Sequence, residues 1–529
     1  MSEASYAQHG MWITERMGAG SAYHMPVLIR FRTPPDVGAL AEACRRVVGR
    51  HRLLAAALAE RDGAPHVVPA RETAALRVAQ GGAGGRAGDG VGDTVAEEIA
   101  RPFDLGRGPL IRFTLVGGTL VVVAHHVVFD GRSKDLLVDD LATLYRGDVP
   151  APLEPLGHAE AERERVAGLL PAARAFWAAR WREPGGTAVP GGTLRSRRAG
   201  PGRVLEFALD VPGVAGLTRF EVLLAALHAL LGAYGNADVG TALDLSTRTD
   251  REARHIGPFV NELPVFSRPA PGLPFASFAG GLRAELRELY AHREVPIARA
   301  VPGVKPHAAL APVSVSYRRT DATDEPGPWS VDRLAFNHAV RGALQLQLLD
   351  GPAGLTASLR YDPEEPADPG RFAGDLQAVL AAIARDPSAP LGDLLPGHAH
   401  ALRETAAPAR SAAPAAMPAV APAAMPAVAP AAMPAVAPPP AAPSPPVPAD
   451  APAGDDPLAG EIRAIWEEVL QLSPIELHDD IFDLGGHSLT ITQIIARMRK
   501  RLGVEVELDD FFDNPTIAGV LTVMKEGRP

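Results

Sequence analysis

The sequence predicts two folded units of different class: a large mixed α/β unit over residues 1–404 and a small all-α bundle over residues 455–529. Three observations lead there. Residues 405–454 are almost wholly Ala, Pro, Val and Met, a break in composition that no packed core tolerates. Before the break, β-branched runs bounded by Gly and Asp alternate with stretches of helical periodicity; after it, only helical periodicity is found.

A chain of 529 residues exceeds one ordinary core, and 47% apolar with 22% charged residues is the composition of globular protein. The single cysteine, Cys44 in ALAEACRRVV, can form neither an internal disulfide nor a cysteine zinc site and reads as a small buried apolar residue. The N-terminal MSEASYAQHG lacks the basic and apolar regions of a signal peptide. The longest apolar run, from Val222, is too short for a bilayer and contains His228. A cytoplasmic protein without membrane contact is expected.

The net charge of −10 is uneven. From Asp455 to Pro529, 15 Asp/Glu stand against 7 Lys/Arg, a net of −8, so the preceding 454 residues carry −2. That sign excludes nucleic acid as the ligand of the small unit and favours protein partners with basic patches.

Within the break the octamer AAMPAVAP occurs three times in tandem, at Ala415–Pro422, Ala423–Pro430 and Ala431–Pro438. Proline fixes φ and removes backbone donors, so an extended tether is expected. Roughly 45 residues at about 3.1 Å each would reach on the order of 140 Å.

In the first unit, TLVVVAHHVVF from Thr119 reads as a buried strand between Gly117-Gly118 and Asp130-Gly131. SKDLLVDDLATLY reads as a helix with Leu136, Leu137, Leu141 and Leu144 on one face. VSVSYRR and LTASLRYD read as strands, and FAGDLQAVLAAIARDP as the closing amphipathic helix. The Gly-rich GGAGGRAGDGVGD from Gly81 lacks the Lys-Ser/Thr ending of a phosphate loop and reads as a surface loop. In the second unit, LAGEIRAIWEEVLQL, a helix opening at Ser488 with Ile491, Ile495, Met498 and Leu502 in a stripe, and TIAGVLTVM form a small bundle.

Two segments carry chemistry. In HHVVFDG (His125–Gly131), neighbours on a strand point to opposite faces, so His125 and His126 do not share a metal ion. One imidazole facing a cavity while its neighbour anchors the strand is the better fit. By pattern alone, a catalytic and a core histidine remain equally open. A buried Asp130 needs a cationic or amide partner. In FDLGGHSL, Ser488 begins a helix, where it serves either as an N-cap or as the attachment point of a phosphodiester favoured by the helix N-terminus.

FDLGGHSL resembles, nearly letter for letter, the phosphopantetheine-attachment motif of peptidyl carrier domains, and FFDNPTIAGV is similar to the end of that four-helix fold. The resemblance implies that Ser488 bears 4′-phosphopantetheine, installed by a phosphopantetheinyl transferase. HHVVFDG resembles the HHxxxDG signature of nonribosomal peptide synthetase condensation domains, related to chloramphenicol acetyltransferase. SYAQHGMW (with Gln8 and Trp12), AYHMP, RHRLL and IGPFVNELPV are similar to further blocks of that family in its order, with Ala55 replacing a usual arginine. LGHAEAERERV near Leu156 stands where the family's YxDYAxW block is expected, without its aromatics.

That resemblance implies two acetyltransferase-like lobes, about 1–175 and 176–404, with a tunnel between them. It implies His126 as the active-site histidine, beside His125, Asp130 and Gly131, with the Gly131 amide aiding the oxyanion. Arg248 is implied as the salt-bridge partner of a structural Asp130, and Ser133 as a weaker candidate. Condensation before carrier implies that the amine on Ser488's arm attacks a thioester on an upstream donor carrier protein. With no room for an adenylation domain in 529 residues, loading by a free-standing adenylation enzyme is expected, and release to a downstream synthetase or thioesterase. Epimerisation, ester formation or a free acceptor, and a non-catalytic recruitment role remain open.

Overall fold

The computed structural model describes residues 2–79, 89–320, 328–395, 457–482, 484, 486 and 488–526. The tether at 405–454 and most of the Gly-rich segment from Gly81 lie outside the described residues.

The first lobe is built on Thr119–His125, a β-branched run with no polar side chain between its ends. It pairs antiparallel with His24–Phe31 on one side and Ile111–Val116 on the other. Gly117 and Gly118, both at positive φ, make the tight hairpin between the last two. Strand alternation sends Val122 and Ala124 into a core with Leu40, Val47, Leu137 and Leu141, while Val121 and Val123 face Ile99 on the opposite side. The helices Val37–Arg50 and Gly131–Tyr145 therefore cover one face and Asp89–Ala100 the other. In Gly131–Tyr145 the buried stripe is Leu137, Val138, Leu141 and Leu144, with Leu136 only half-buried.

The second lobe carries a six-stranded sheet. Val239–Ser246 and Val260–Ser267 form its antiparallel edge pair, and Val313–Arg319 runs parallel to the first of these. Arg219–Ala233, the greasiest helix, is buried all round, and its His228 is satisfied by the hydroxyls of Ser267 (2.7 Å) and Thr241 (2.9 Å).

Two features bear on a division of the lobes at about residue 175. The helix His158–Arg180 runs through that point. Trp329–Asp332, from the later half of the chain, pairs antiparallel with His24–Phe31 and completes the first lobe's sheet. An edge strand pairs with whatever open edge lies near in space, so this exchange leaves no trace in local sequence.

The C-terminal bundle comprises Pro457–Leu470, Ser488–Leu502, Leu508–Asp513 and Ile517–Glu526 around Ile462, Trp466, Ile491, Met498, Phe511 and Val520. It rests on the first lobe. Met17, just past the helix Tyr6–Arg16, packs against the bundle core. At the turn of the hairpin Ala56–Arg61/Ala64–Pro69, Gly63 lies so close that a Cβ there would fall 2.4 Å from the Thr492 carbonyl oxygen. Arg499 and Lys500 face Glu60 and Asp62 at 3.6 and 3.8 Å. The acidic bundle thus meets this neighbour through its basic helix end, the reverse of what its net charge suggests.

Candidate active site

The strand ends at His125, and His126 begins a short 3-10 turn, His126–Val128. The two imidazoles separate through this change of backbone rather than by strand alternation. His125 is fully buried among Tyr23, His24 and Phe103; its Nδ1 accepts the Val127 amide (3.1 Å) and its Nε2 lies 3.6 Å from a Glu15 carboxylate oxygen. It shapes the turn.

His126 lines a cavity of about 200 Å³ between the lobes. Its Nδ1 is 2.7 Å from the Phe129 carbonyl, which can only accept, so Nδ1 carries the proton and Nε2 keeps its lone pair. Burial above all, then the Arg341 cation, lowers its pKa below the usual histidine value. The result is a neutral imidazole with one basic nitrogen. The helix Tyr6–Arg16 braces the turn, because buried Gln8 donates from Nε2 to the Val127 carbonyl (3.0 Å) and Trp12 is buried beneath it.

Asp130 is saturated. It caps the helix Gly131–Tyr145 by accepting the Ser133 amide (2.8 Å) and hydroxyl (2.7 Å), and takes the Phe259 amide (3.2 Å) from the second lobe. Arg248 pairs with it at 2.8 Å, donates to the Glu252 and His255 carbonyls, and lies over the Phe259 ring at 4.3 Å. Both side chains are more than 90% buried, so this pair welds the two lobes without access to substrate. Ser133 joins the same network, its hydroxyl contacting Arg248 and Gly257.

Of the four HHVVFDG residues expected in catalysis, only His126 lines the chamber. Gly131, whose amide the resemblance implies as an aid to the oxyanion, is outside the lining of this cavity, and a Cβ there would sit 2.9 Å from Cδ of Arg318. Its smallness makes room for Arg318, which pairs with Asp135 one turn along. The segment near Leu156 joins the lobes without the absent aromatics: the His158 ring packs edge-on to Phe259 (4.5 Å) and bonds Glu252 (2.9 Å), and Glu162 accepts the Tyr6 amide (2.7 Å). Cys44 is buried, its thiol pushed up to about 12 by burial.

Sequence reasoning missed Tyr23, Asp244, Glu262 and Arg341, which share the chamber with His126. Alternation could have found two of them: Leu243 and Leu245 face the core, so Asp244 faces away, and Glu262 stands directly opposite on the next strand.

In the bundle, Ser488 is the first residue of a fifteen-residue helix, and the Gly486 amide donates to the Ile481 carbonyl (2.8 Å) to close the preceding turn. A helix N-terminus suits a phosphodiester through its unpaired amides.

Residues 1–396 match the condensation domain family, and residues 460–523 match the phosphopantetheine attachment site family. The chain belongs to the condensation-domain family. Its carrier unit is a phosphopantetheine attachment domain, so 4′-phosphopantetheine is its cofactor. The chain is 27% identical over 433 residues to a linear gramicidin synthase of Brevibacillus parabrevis, covering 73% of this chain and 6% of that one. With phosphinothricin tripeptide synthetase PhsC of Streptomyces viridochromogenes it shares 26% identity, over 72% of this chain and 39% of that one. The condensation and carrier units thus span a minor part of these nonribosomal peptide synthetases. Among solved structures, the starter condensation domain of rhizomide synthetase superposes with a TM-score of 0.64 at 17% identity, covering 74% of this chain and 96% of that one. The X-domain from teicoplanin biosynthesis, solved in complex with OxyB, gives 0.59 at 22% identity, over 74% and 95%. Both share the two-lobed acetyltransferase-like fold. Among the described residues, no helix is long and apolar enough to cross a membrane.

Proposed function

We propose that the chain forms an amide bond between a donor acyl or peptidyl thioester, presented by an upstream carrier, and the amine of an aminoacyl group held on its own Ser488. The observation that carries this reading is the seating of the carrier unit beside the His126 chamber. Met17 and Gly63 contact the carrier, and so does the loop holding Gly303, whose Cβ position is 3.9 Å from that of Phe482. The helix before Met17 and the residues after Gly303 also line the chamber.

The phosphopantetheine arm supplies the thiol that holds the aminoacyl group as a thioester. At the reacting centre, the amine nitrogen attacks the donor carbonyl carbon, a C–N bond forms and the C–S bond breaks. Nε2 of His126 takes the proton the amine loses and gives it to the departing thiolate. General-base help of this kind contributes about 10²–10⁴ in rate, and holding both reactants on tethers supplies much of the rest. The aminoacyl group is loaded by a separate adenylation enzyme, and a downstream synthetase or thioesterase takes the product.

Intact-protein mass spectrometry tests this. After exposure to a phosphopantetheinyl transferase, the chain should gain the arm, and Ser488→Ala should not. With an adenylation enzyme, an amino acid and a donor thioester, the mass should rise by the donor acyl group, and His126→Ala should abolish that step. Product formation unchanged in His126→Ala would favour a recruiting role instead.

A further inference from the structure

Asp244 and Glu262 are directly opposed on neighbouring antiparallel strands, and both line the His126 chamber. Like charges so placed repel and need compensation. One guanidinium provides it: Arg341 lies 3.5 Å from Asp244 and within electrostatic reach of Glu262. Two carboxylates against one cation leave an excess negative charge. Of the other lining carboxylates, Glu294 is paired with Arg165 (2.7 Å), and burial keeps His307 neutral.

Glu262 is not fully used. One of its oxygens accepts the Leu310 amide (2.9 Å); the other, Oε1, is buried and has no hydrogen-bond partner among the described residues. Burial raises this carboxyl to about 6, and the Arg341 cation beside it opposes that rise. A buried anion with an open acceptor is costly unless a cation meets it. The cavity, about 200 Å³, is below the roughly 300–1,000 Å³ of sites for drug-sized ligands, so its occupant is of the size of one residue.

Resting on the acceptor reading above, we infer that Glu262, supported by Asp244, selects an aminoacyl group with a cationic side chain, of the diamino-acid or guanidino class, on this chain's own carrier. The α-amine does not fill this role, because it must be neutral to attack and is served by His126. A side-chain cation keeps its charge throughout, and the open Oε1 of Glu262 is an acceptor placed to meet it.

The test uses the full-length chain without its phosphopantetheine, so that no arm competes, and two stable mimics: the pantetheine amides of lysine and of norleucine. These match in shape and differ by the side-chain ammonium. By calorimetry the lysyl mimic should bind at least tenfold more tightly, and Glu262→Gln should cut that preference to about twofold with norleucyl binding unchanged. Asp244→Asn, read the same way, should weaken it less. Equal binding of the two mimics by the unmodified chain overturns the proposal, as does a preference that survives both substitutions. Equal losses for both mimics in Glu262→Gln also overturn it, by placing Glu262 on the α-amine. A lysyl preference in a chain that forms no amide overturns the condensation reading and upholds this one; amide formation from both aminoacyl groups at equal rates does the opposite.

Discussion

His126 and Asp130, four residues apart within HHVVFDG, are opposite in kind. At His126 the chain leaves a basic nitrogen open to a chamber. At Asp130 each carboxylate oxygen is occupied, by Arg248, Ser133 and the Phe259 amide. Chemistry needs an unsatisfied group held still, and a saturated network is what holds it still. On the proposed reading the motif is one reactive residue and a lobe-joining rivet, and the two should respond differently to substitution.

His126→Ala should break only the reactive end. Amide formation is expected to fall by about 10²–10⁴, while the thermal midpoint, followed by circular dichroism, stays within a few degrees. A large loss of stability would show that the two ends are not separable. Arg248→Ala should break the other end, because it strands the buried Asp130 carboxylate; a cost of about 3–5 kcal/mol is expected from urea unfolding. Asp130→Ala together with Arg248→Ala should cost less than the sum of the two.

The pH profile sharpens the same contrast. His126 acts as a base only when neutral, so the rate should fall about tenfold per pH unit once the pH drops below its pKa. Since burial and Arg341 lower that pKa, the acid limb should lie below pH 6.5. The sign is fixed: a raised pKa would place the limb at higher pH.

Smaller effects are expected at the carrier contact. Gly63→Val puts a branched side chain into the Thr492 backbone, at a residue with φ of 77°. The carrier-bound acceptor should react several-fold more slowly while a free aminoacyl mimic reacts as before. Lys500→Glu alters one exposed pair worth under about 1 kcal/mol. A change below threefold, fading in high salt, is expected in the same assay.

What the sequence determined by itself was local. The β-branched run at Thr119 makes a buried strand whatever surrounds it, the Leu stripes define helices, and the tandem octamers forbid both. His125, His126, Asp130 and Ser488 were legible because their motifs are contiguous and resemble those of a known family. Tertiary structure decided the rest. It divided the histidines by ending the strand between them, set Gly131 close against Arg318, and set Trp329–Asp332 in the other lobe's sheet. It also brought Asp244, Glu262 and Arg341 around His126 from three strands, and set a basic helix end of an acidic unit against Glu60 and Asp62. The reason is physical: cavities, buried charge balance and edge pairing depend on residues far apart in the chain, and their energies exist only once the chain has closed around them.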